Sequence, residues 1–255
     1  MVTERIDFKN SGGLDLVGEF LPAEGGVIVV MVHGLTGDRH EGGRFDKAAQ
    51  VLNSSGFNVF RFDFSGCGES DDDNLTIEKQ VDDLKCVLAY VKSRGLVDVA
   101  LLGLSLGACV CARIYDNEIR AMVFWAPVTN SAEKPEDYYG PDKVKELAET
   151  GVINRLREGT LRQKIVIDKK LFEEWKAINQ EELLSGIDIP VLIVHGDNDQ
   201  RVPLSDSRQA LKYLPSGSRL EVVEGADHIF NEQIDVFIEL TDAWFKEKLD
   251  KGPTS

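Results

Sequence analysis

Histidine and cysteine are scarce in this chain, four of each in 255 residues. Cys67, Cys86, Cys109 and Cys111 form no C-x-x-C pair and show no zinc-like spacing with histidine, which argues against a disulfide scaffold or a zinc module. Reduced thiols in a cytoplasmic protein are the simpler expectation. No motif for a metal, flavin or nucleotide is present, so no cofactor is expected. Positive charge is also short: 29 Lys and Arg stand against 44 Asp and Glu, a formal net charge of −15, and no basic run stands out. Nucleic acid and anionic membrane surfaces both need a cationic face, so neither is an expected partner. Long apolar runs are missing too. Val27–Val32 is the longest, far below the roughly 18 residues of a spanning helix. The first fifteen residues hold no apolar stretch of the secretory kind, and no signal is expected there. What remains is an ordinary globular composition, 42% apolar and 29% charged, long enough for one large domain with a real core.

A strand-then-helix pattern organises the chain. Ile6–Lys9 and Leu14–Leu21 flank Asn10-Ser11-Gly12-Gly13 and read as a hairpin. Apolar runs of strand length follow at Val27–His33, Phe57–Asp63, Val97–Leu102, Arg120–Pro127, Val191–His195 and Arg219–Glu224. Helical spacing lies between and after them, over Phe45–Ser55, Ile77–Val91, Leu106–Tyr115, around Ser207–Leu214, and over Gln233–Leu249. Strands this apolar are covered on both faces, as in a parallel sheet between helices. The expected fold class is α/β: a mostly parallel sheet flanked by helices, with the N-terminal hairpin as antiparallel edge strands.

Residues 128–188 break the alternation with charged helical segments, Gly140-Pro141 and a strand-like Lys164–Asp168. A structureless loop of that length is unusual in a compact domain. The segment reads as an inserted cap carrying its own helices, which divides the core into residues 1–127 and 189–255. The tail after Leu249 reads as frayed.

Gly103-Leu104-Ser105-Leu106-Gly107 matches G-x-S-x-G. Chance alone supplies this pattern about once in ten chains of this size, so context has to decide. Here a strand leads into it and a helix leads out, the strand–turn–helix setting of a nucleophile elbow. The plainer alternative is a glycine-rich helix start with Ser105 as its N-cap. A serine hydroxyl also needs a base. His228 follows the strand Arg219–Glu224, at the carboxyl end where ligands bind in open α/β sheets; its alternative is a loop-capping role. The acid should lie between the two in sequence. Asp199 is preferred to Asp197, which sits tighter against its strand end and braces the turn; Asp63, ending another strand, is read as structural. His33-Gly34-Leu35 follows the strand Val27–His33, and the backbone N–H groups of Leu35 and Leu106 are the natural oxyanion donors, unless that His-Gly pair only makes a tight turn. His33 and His195 are read as structural.

Taken together, HGLTG, RFDFSGCGES, GLSLGA, VLIVHGDNDQRVP and EGADHIF fall in the order of the α/β-hydrolase superfamily. Over nearly its whole length the chain resembles that superfamily, and within it most resembles small carboxylesterases related to cinnamoyl (feruloyl) esterases. It is also similar to monoacylglycerol lipases and the serine aminopeptidase group. The resemblance implies a Ser105–Asp199–His228 triad, Leu35 and Leu106 as oxyanion donors, and a cap over the site. HGLTG is not the HGGG form, which disfavours bulky tertiary-alcohol esters. Cys67 stands where relatives often carry histidine and is read as part of a structural loop.

The expected activity is therefore that of a serine carboxylesterase on a small-molecule ester, hydroxycinnamoyl esters included. Its rivals are monoacylglycerol, thioester or peptide hydrolysis on the same fold, or a non-catalytic protein that binds a small ligand. Net negative charge disfavours acyl-CoA. In the cap, Tyr138, Tyr139, Phe172 and Trp175 either form a substrate pocket or hold the cap's own core together. Cys109 and Cys111 read as packing residues behind Ser105. A homodimer through the cap or the edge strand is compatible with the sequence.

Overall fold

The structure, a computed structural model, describes residues 3–157 and 160–249. In chain order the first half holds strands β1 (Glu4–Lys9), β2 (Asp15–Leu21) and β3 (Val27–Val32), helix α1 (Arg44–Ser54), strands β4 (Asn58–Phe62) and β5 (Asn74–Leu75), and helix α2 (Ile77–Ser93). Then come β6 (Asp98–Leu104), α3 (Leu106–Arg113), β7 (Ile119–Trp125), α4 (Pro141–Thr150), β8 (Val152–Leu156) and β9 (Lys164–Asp168). The chain closes with α5 (Lys169–Lys176), α6 (Gln180–Leu184), β10 (Val191–Gly196), α7 (Leu204–Ala210), β11 (Arg219–Val223) and α8 (Ile234–Leu249). The expectation of a frayed tail falls outside the described residues.

Eight strands form one sheet in the order β1-β2-β4-β3-β6-β7-β10-β11. The β1–β2 and β2–β4 pairs are antiparallel and all the others parallel, which is the mostly parallel sheet with an antiparallel N-terminal edge expected above. β4 and β10 are buried along their whole length, while edge strand β1 alternates half-buried with exposed positions. Successive residues of a strand point to opposite faces, so β3 feeds two cores. Ile28 and Val30 pack with Leu84, Val87 and Leu88 of α2; Val29 and Met31 pack with Phe45 and Leu52 of α1 and Phe237 of α8. The carboxyl ends of β3, β6, β10 and β11 open onto one edge of the sheet, and the loops that leave them build the site.

The excursion between β7 and β10 is less helical than expected. Beside the strand-like Lys164–Asp168 the structure adds β8, paired antiparallel with β9, and β9 pairs in parallel with β5 from the core. Ile153, Ile165 and Ile167 of this small sheet are buried, as are Leu171 and Phe172 of α5. Polar ties fasten it further. The Arg162 guanidinium donates to the carbonyls of Gly68 and Ser70 and meets Asp72. From α5, a Glu174 Oε2 accepts the Ile77 N–H at 2.6 Å and the Glu78 N–H at 3.4 Å, and so supplies a carboxylate to the first turn of α2.

Candidate active site

Ser105 sits between β6 and α3 with φ 53° and ψ −118°, a backbone region that non-glycine residues occupy only when the surroundings hold them there. Its N–H donates to the Trp125 carbonyl at 2.8 Å, and its C=O accepts from Val128 at 3.0 Å. The flanking glycines are needed for space. A Cβ at Gly107 would lie 2.3 Å from the Val32 carbonyl oxygen, and one at Gly103 would lie 2.6 Å from the Ala108 Cα. Without them α3 could not close onto β3 and β6, and the turn that carries the Ser105 hydroxyl would open.

His228 reaches that hydroxyl from the loop after β11. Asp227 Oδ1 accepts the N–H groups of Ile229 and Phe230 at 3.0 and 2.7 Å, which folds the loop around the imidazole. His228 Nε2 is 3.1 Å from Ser105 Oγ, and its Nδ1 is 2.7 Å from Asp199 Oδ2. An Nδ1–H directed at the carboxylate leaves Nε2 as acceptor for the serine proton. Asp199 itself has a fully buried side chain. Its Oδ1 accepts from the amides of Arg201 and Val202 at 2.8 and 2.9 Å. Burial pushes this carboxyl's pKa up, but hydrogen bonds from His195, His228 and the Val202 amide outweigh burial and hold it well below the ordinary carboxylate range.

The other candidates separate from this relay. Asp197 Oδ1 accepts the Gly225 N–H at 2.7 Å and braces the turn. Asp63 is buried in an ion pair with Arg39 and also accepts the amides of Arg39 and Glu69. His33 Nε2 accepts the Phe64 N–H at 3.1 Å, so its Nδ1 donates to the Gly34 carbonyl at 2.8 Å. His195 does more than pack. Ser207 is 2.7 Å from its Nδ1, and its Nε2 is 3.1 Å from Asp199 Oδ2, a second histidine on the same carboxylate.

On the facing loop, Leu35 is half-buried and lines the cavity in front of Ser105. Its N–H donates to no protein acceptor among the described residues. Leu106 is the first residue of α3, so its N–H has no intrahelical acceptor. Buried Glu41 holds the loop's shape, with Oε1 accepting the Gly34 N–H at 2.7 Å and Oε2 meeting Arg44 at 2.9 Å. From β8, Arg155 donates to the Thr36 hydroxyl at 2.7 Å, and the neighbouring Arg157 donates to the Thr36 carbonyl. The excursion is thus fastened to the residue that follows Leu35.

A cavity of about 370 Å³ opens above Ser105 and His228. Tyr138, Tyr139 and Trp175 line it; Phe172 does not. Of the two alternatives for Phe172, substrate contact is corrected: it is 1% exposed, packs edge-on to Tyr139 at 6.0 Å, and joins the same buried cluster as Leu84 of α2 and Leu106 of α3. Burial pushes the Tyr139 hydroxyl up to about 12, so it stays protonated and able to donate. Burial likewise raises the thiols of Cys67, Cys109 and Cys111, Cys109 to about 11, which leaves no competing thiolate among the three. Four cations also line the cavity, Arg44, Lys134, Arg155 and Arg201. They come from four separate segments, so no sequence spacing announced them. Among the described residues no group of three or more His, Cys, Asp or Glu side chains has an arrangement that could hold a metal ion. No described helix is long and apolar enough to cross a membrane.

Comparison with known proteins adds the family. A profile described as serine aminopeptidase, S33, matches residues 24–170, more than half of the chain. The chain belongs to the S33 family. Among curated relatives, this S33 hydrolase is 29% identical to human Protein ABHD12B over 188 residues, or 71% of this chain, and it spans about half (48%) of that protein's length. Among solved structures it is similar to the α/β hydrolase GrgF from Penicillium sp. sh18, with a TM-score of 0.80 and 17% identity over 98% of this chain and 100% of that one. Est1E from Butyrivibrio proteoclasticus, solved with ferulic acid bound, has a TM-score of 0.77 and 20% identity over 96% of this chain and 100% of that one. The fold of this S33 member is the α/β-hydrolase fold.

Proposed function

We propose that the protein is a serine carboxylesterase for small to medium carboxylic esters, working through an acyl-enzyme. One observation carries the reading: a strained Ser105 whose hydroxyl lies 3.1 Å from an imidazole that is itself held 2.7 Å from a buried carboxylate. In this reading Ser105 Oγ attacks the ester carbonyl and His228 Nε2 takes its proton. The N–H groups of Leu35 and Leu106 stabilise the tetrahedral oxyanion, each donor being worth roughly 3 kcal/mol. His228 then protonates the departing alcohol, and a water activated by the same nitrogen releases the acid. The residues from 128 to 188 act as a cap, and their Tyr138, Tyr139 and Trp175 support aromatic acyl groups, hydroxycinnamoyl among them.

An aminopeptidase reading, which the family's name invites, is disfavoured by charge. A peptide's terminal ammonium needs a free carboxylate, yet the cavity's acidic lining residue, Glu41, is already paired with Arg44. A fluorophosphonate probe and three substrates test the proposal: 4-nitrophenyl butyrate, methyl ferulate and an aminoacyl 4-nitroanilide, each with Ser105→Ala as blank. Labelling at Ser105 with ester turnover that Ser105→Ala abolishes is the expected result, and comparable rates on ferulate and butyrate would place the aromatic residues in the acyl site. Undiminished ester turnover in Ser105→Ala, or turnover of the anilide alone, would overturn it.

A further inference from the structure

The two buried arginines among the described residues are matched by carboxylates. Arg39 meets Glu19, Asp63 and Glu69, and Arg61 meets Glu19 and Asp46. The cavity departs from that rule. Among the described residues only Arg44 of its four lining cations has a carboxylate partner, and that pair also neutralises Glu41. Half-buried Arg155 gives one Nη to the Thr36 hydroxyl and lies 6.0 Å from the centre of the Tyr139 ring. Arg201 lies 5.1 Å from the centre of the Tyr138 ring, and Lys134 stands exposed on the same lining. Among the described residues none of these three has a carboxylate within salt-bridge reach. A chain of net charge −15 therefore gathers, on the cavity that holds its candidate nucleophile, three cations without an ion-pair partner among the described residues.

Half-buried Arg155 carries its charge partly out of water beside two further cations, which is costly, and an incoming anion relieves both its repulsion and its lost hydration. The Arg155 plane is already fixed by Thr36 and Tyr139, and a fixed guanidinium fork matches the two oxygens of a carboxylate. We propose that the preferred substrate is an ester bearing a carboxylate away from the scissile bond, gripped by Arg155 with Arg201 and Lys134. The inference rests on the esterase reading and names its substrate class.

Two carbon-matched pairs test it, one for each side of the ester: monomethyl adipate against methyl hexanoate, and the butyrate ester of 4-hydroxybutanoate against butyl butyrate. Acid release is followed by chromatography, with Ser105→Ala subtracted. A kcat/KM ratio favouring the anionic member of at least one pair by about tenfold or more is expected, the worth of one charge-assisted contact. Arg155→Gln should bring that ratio towards one. The Lys134→Gln/Arg201→Gln double variant changes exposed residues only, and it should lower the ratio in a chain that keeps its fold. Turnover of the neutral esters with no anionic preference in either pair would overturn the inference and leave the esterase reading standing. So would a preference untouched by both variants. Silence on all four esters, with no fluorophosphonate labelling of Ser105, would remove the esterase reading and this inference with it.

Discussion

Asp199 accepts four hydrogen bonds: His228 and His195 on Oδ2, and the amides of Arg201 and Val202 on Oδ1. Two carboxylates leave the end of β10, and their surroundings divide the work. Asp199 is buried and points at an imidazole, whereas exposed Asp197 holds only the Gly225 amide. Asp199→Asn keeps the shape but offers His228 an amide that can favour the wrong tautomer. It should lower kcat/KM by about ten-thousand-fold, while Asp197→Asn should change it by only a few-fold; steady-state kinetics on 4-nitrophenyl butyrate checks the ranking, and the reverse order would move the acid. The sequence already favoured Asp199 as the proposed acid, because a triad acid is expected between Ser105 and His228 and Asp197 sits tighter against the strand end. The second histidine on Asp199 was not readable. His195 ends a buried strand and looks like packing until Asp199, four residues later, is seen to fold back onto it.

At the scale of elements, β3, β6, β7 and β10 were legible because they are covered on both faces and their sequences are largely apolar; β4 carries Asn58 and Arg61 as well and was legible from its Val59, Phe60 and Phe62. β8 was not, because neither face of Val-Ile-Asn-Arg-Leu is apolar throughout: Ile153 is buried but shares its face with half-buried Arg155, and the other face carries half-buried Asn154 and exposed Leu156. A two-residue strand such as β5 has no periodicity to read. What fastens β8 to α4 is polar and pH-sensitive. Glu146 accepts from Lys143 at 2.6 Å and from the Asn154 amide and side chain at 3.0 and 2.6 Å. These bonds, Lys143 first, lower its pKa from the ordinary 4.5 to about 2. A depressed carboxyl pKa stabilises the fold above the unfolded value, and that contribution fades as pH falls from about 4.5 towards 2. Glu146→Ala should therefore melt below the wild type at pH 7, with the gap narrowing towards pH 3. A gap of constant size in thermal melts at both pH values would mean that the carboxylate's charge does not matter there.

Across the whole molecule, the excursion is tied to the body at several separate points. β9 pairs with β5, Glu174 sits on the first turn of α2, Arg155 and Arg157 hold Thr36, and Arg162 reaches the carbonyls of Gly68 and Ser70. Ties so spread out make separate melting of residues 128–188 unfavourable, since each would have to break before any chain entropy is released. Thermal unfolding should accordingly be one transition by far- and near-ultraviolet circular dichroism alike. Arg162 is the sharpest probe, because it is mostly buried yet lies away from the cavity lining. Arg162→Ala leaves two carbonyls without their donor and should cost about 1–3 kcal/mol. At this chain length each kcal/mol corresponds to a Tm shift of roughly 2–4 °C. If the excursion is one cooperative unit with the core, both spectral regions shift together by that amount. If it is only laid over the site, the near-ultraviolet signal from its tyrosines and Trp175 falls first in Arg162→Ala while the core's far-ultraviolet transition stays put.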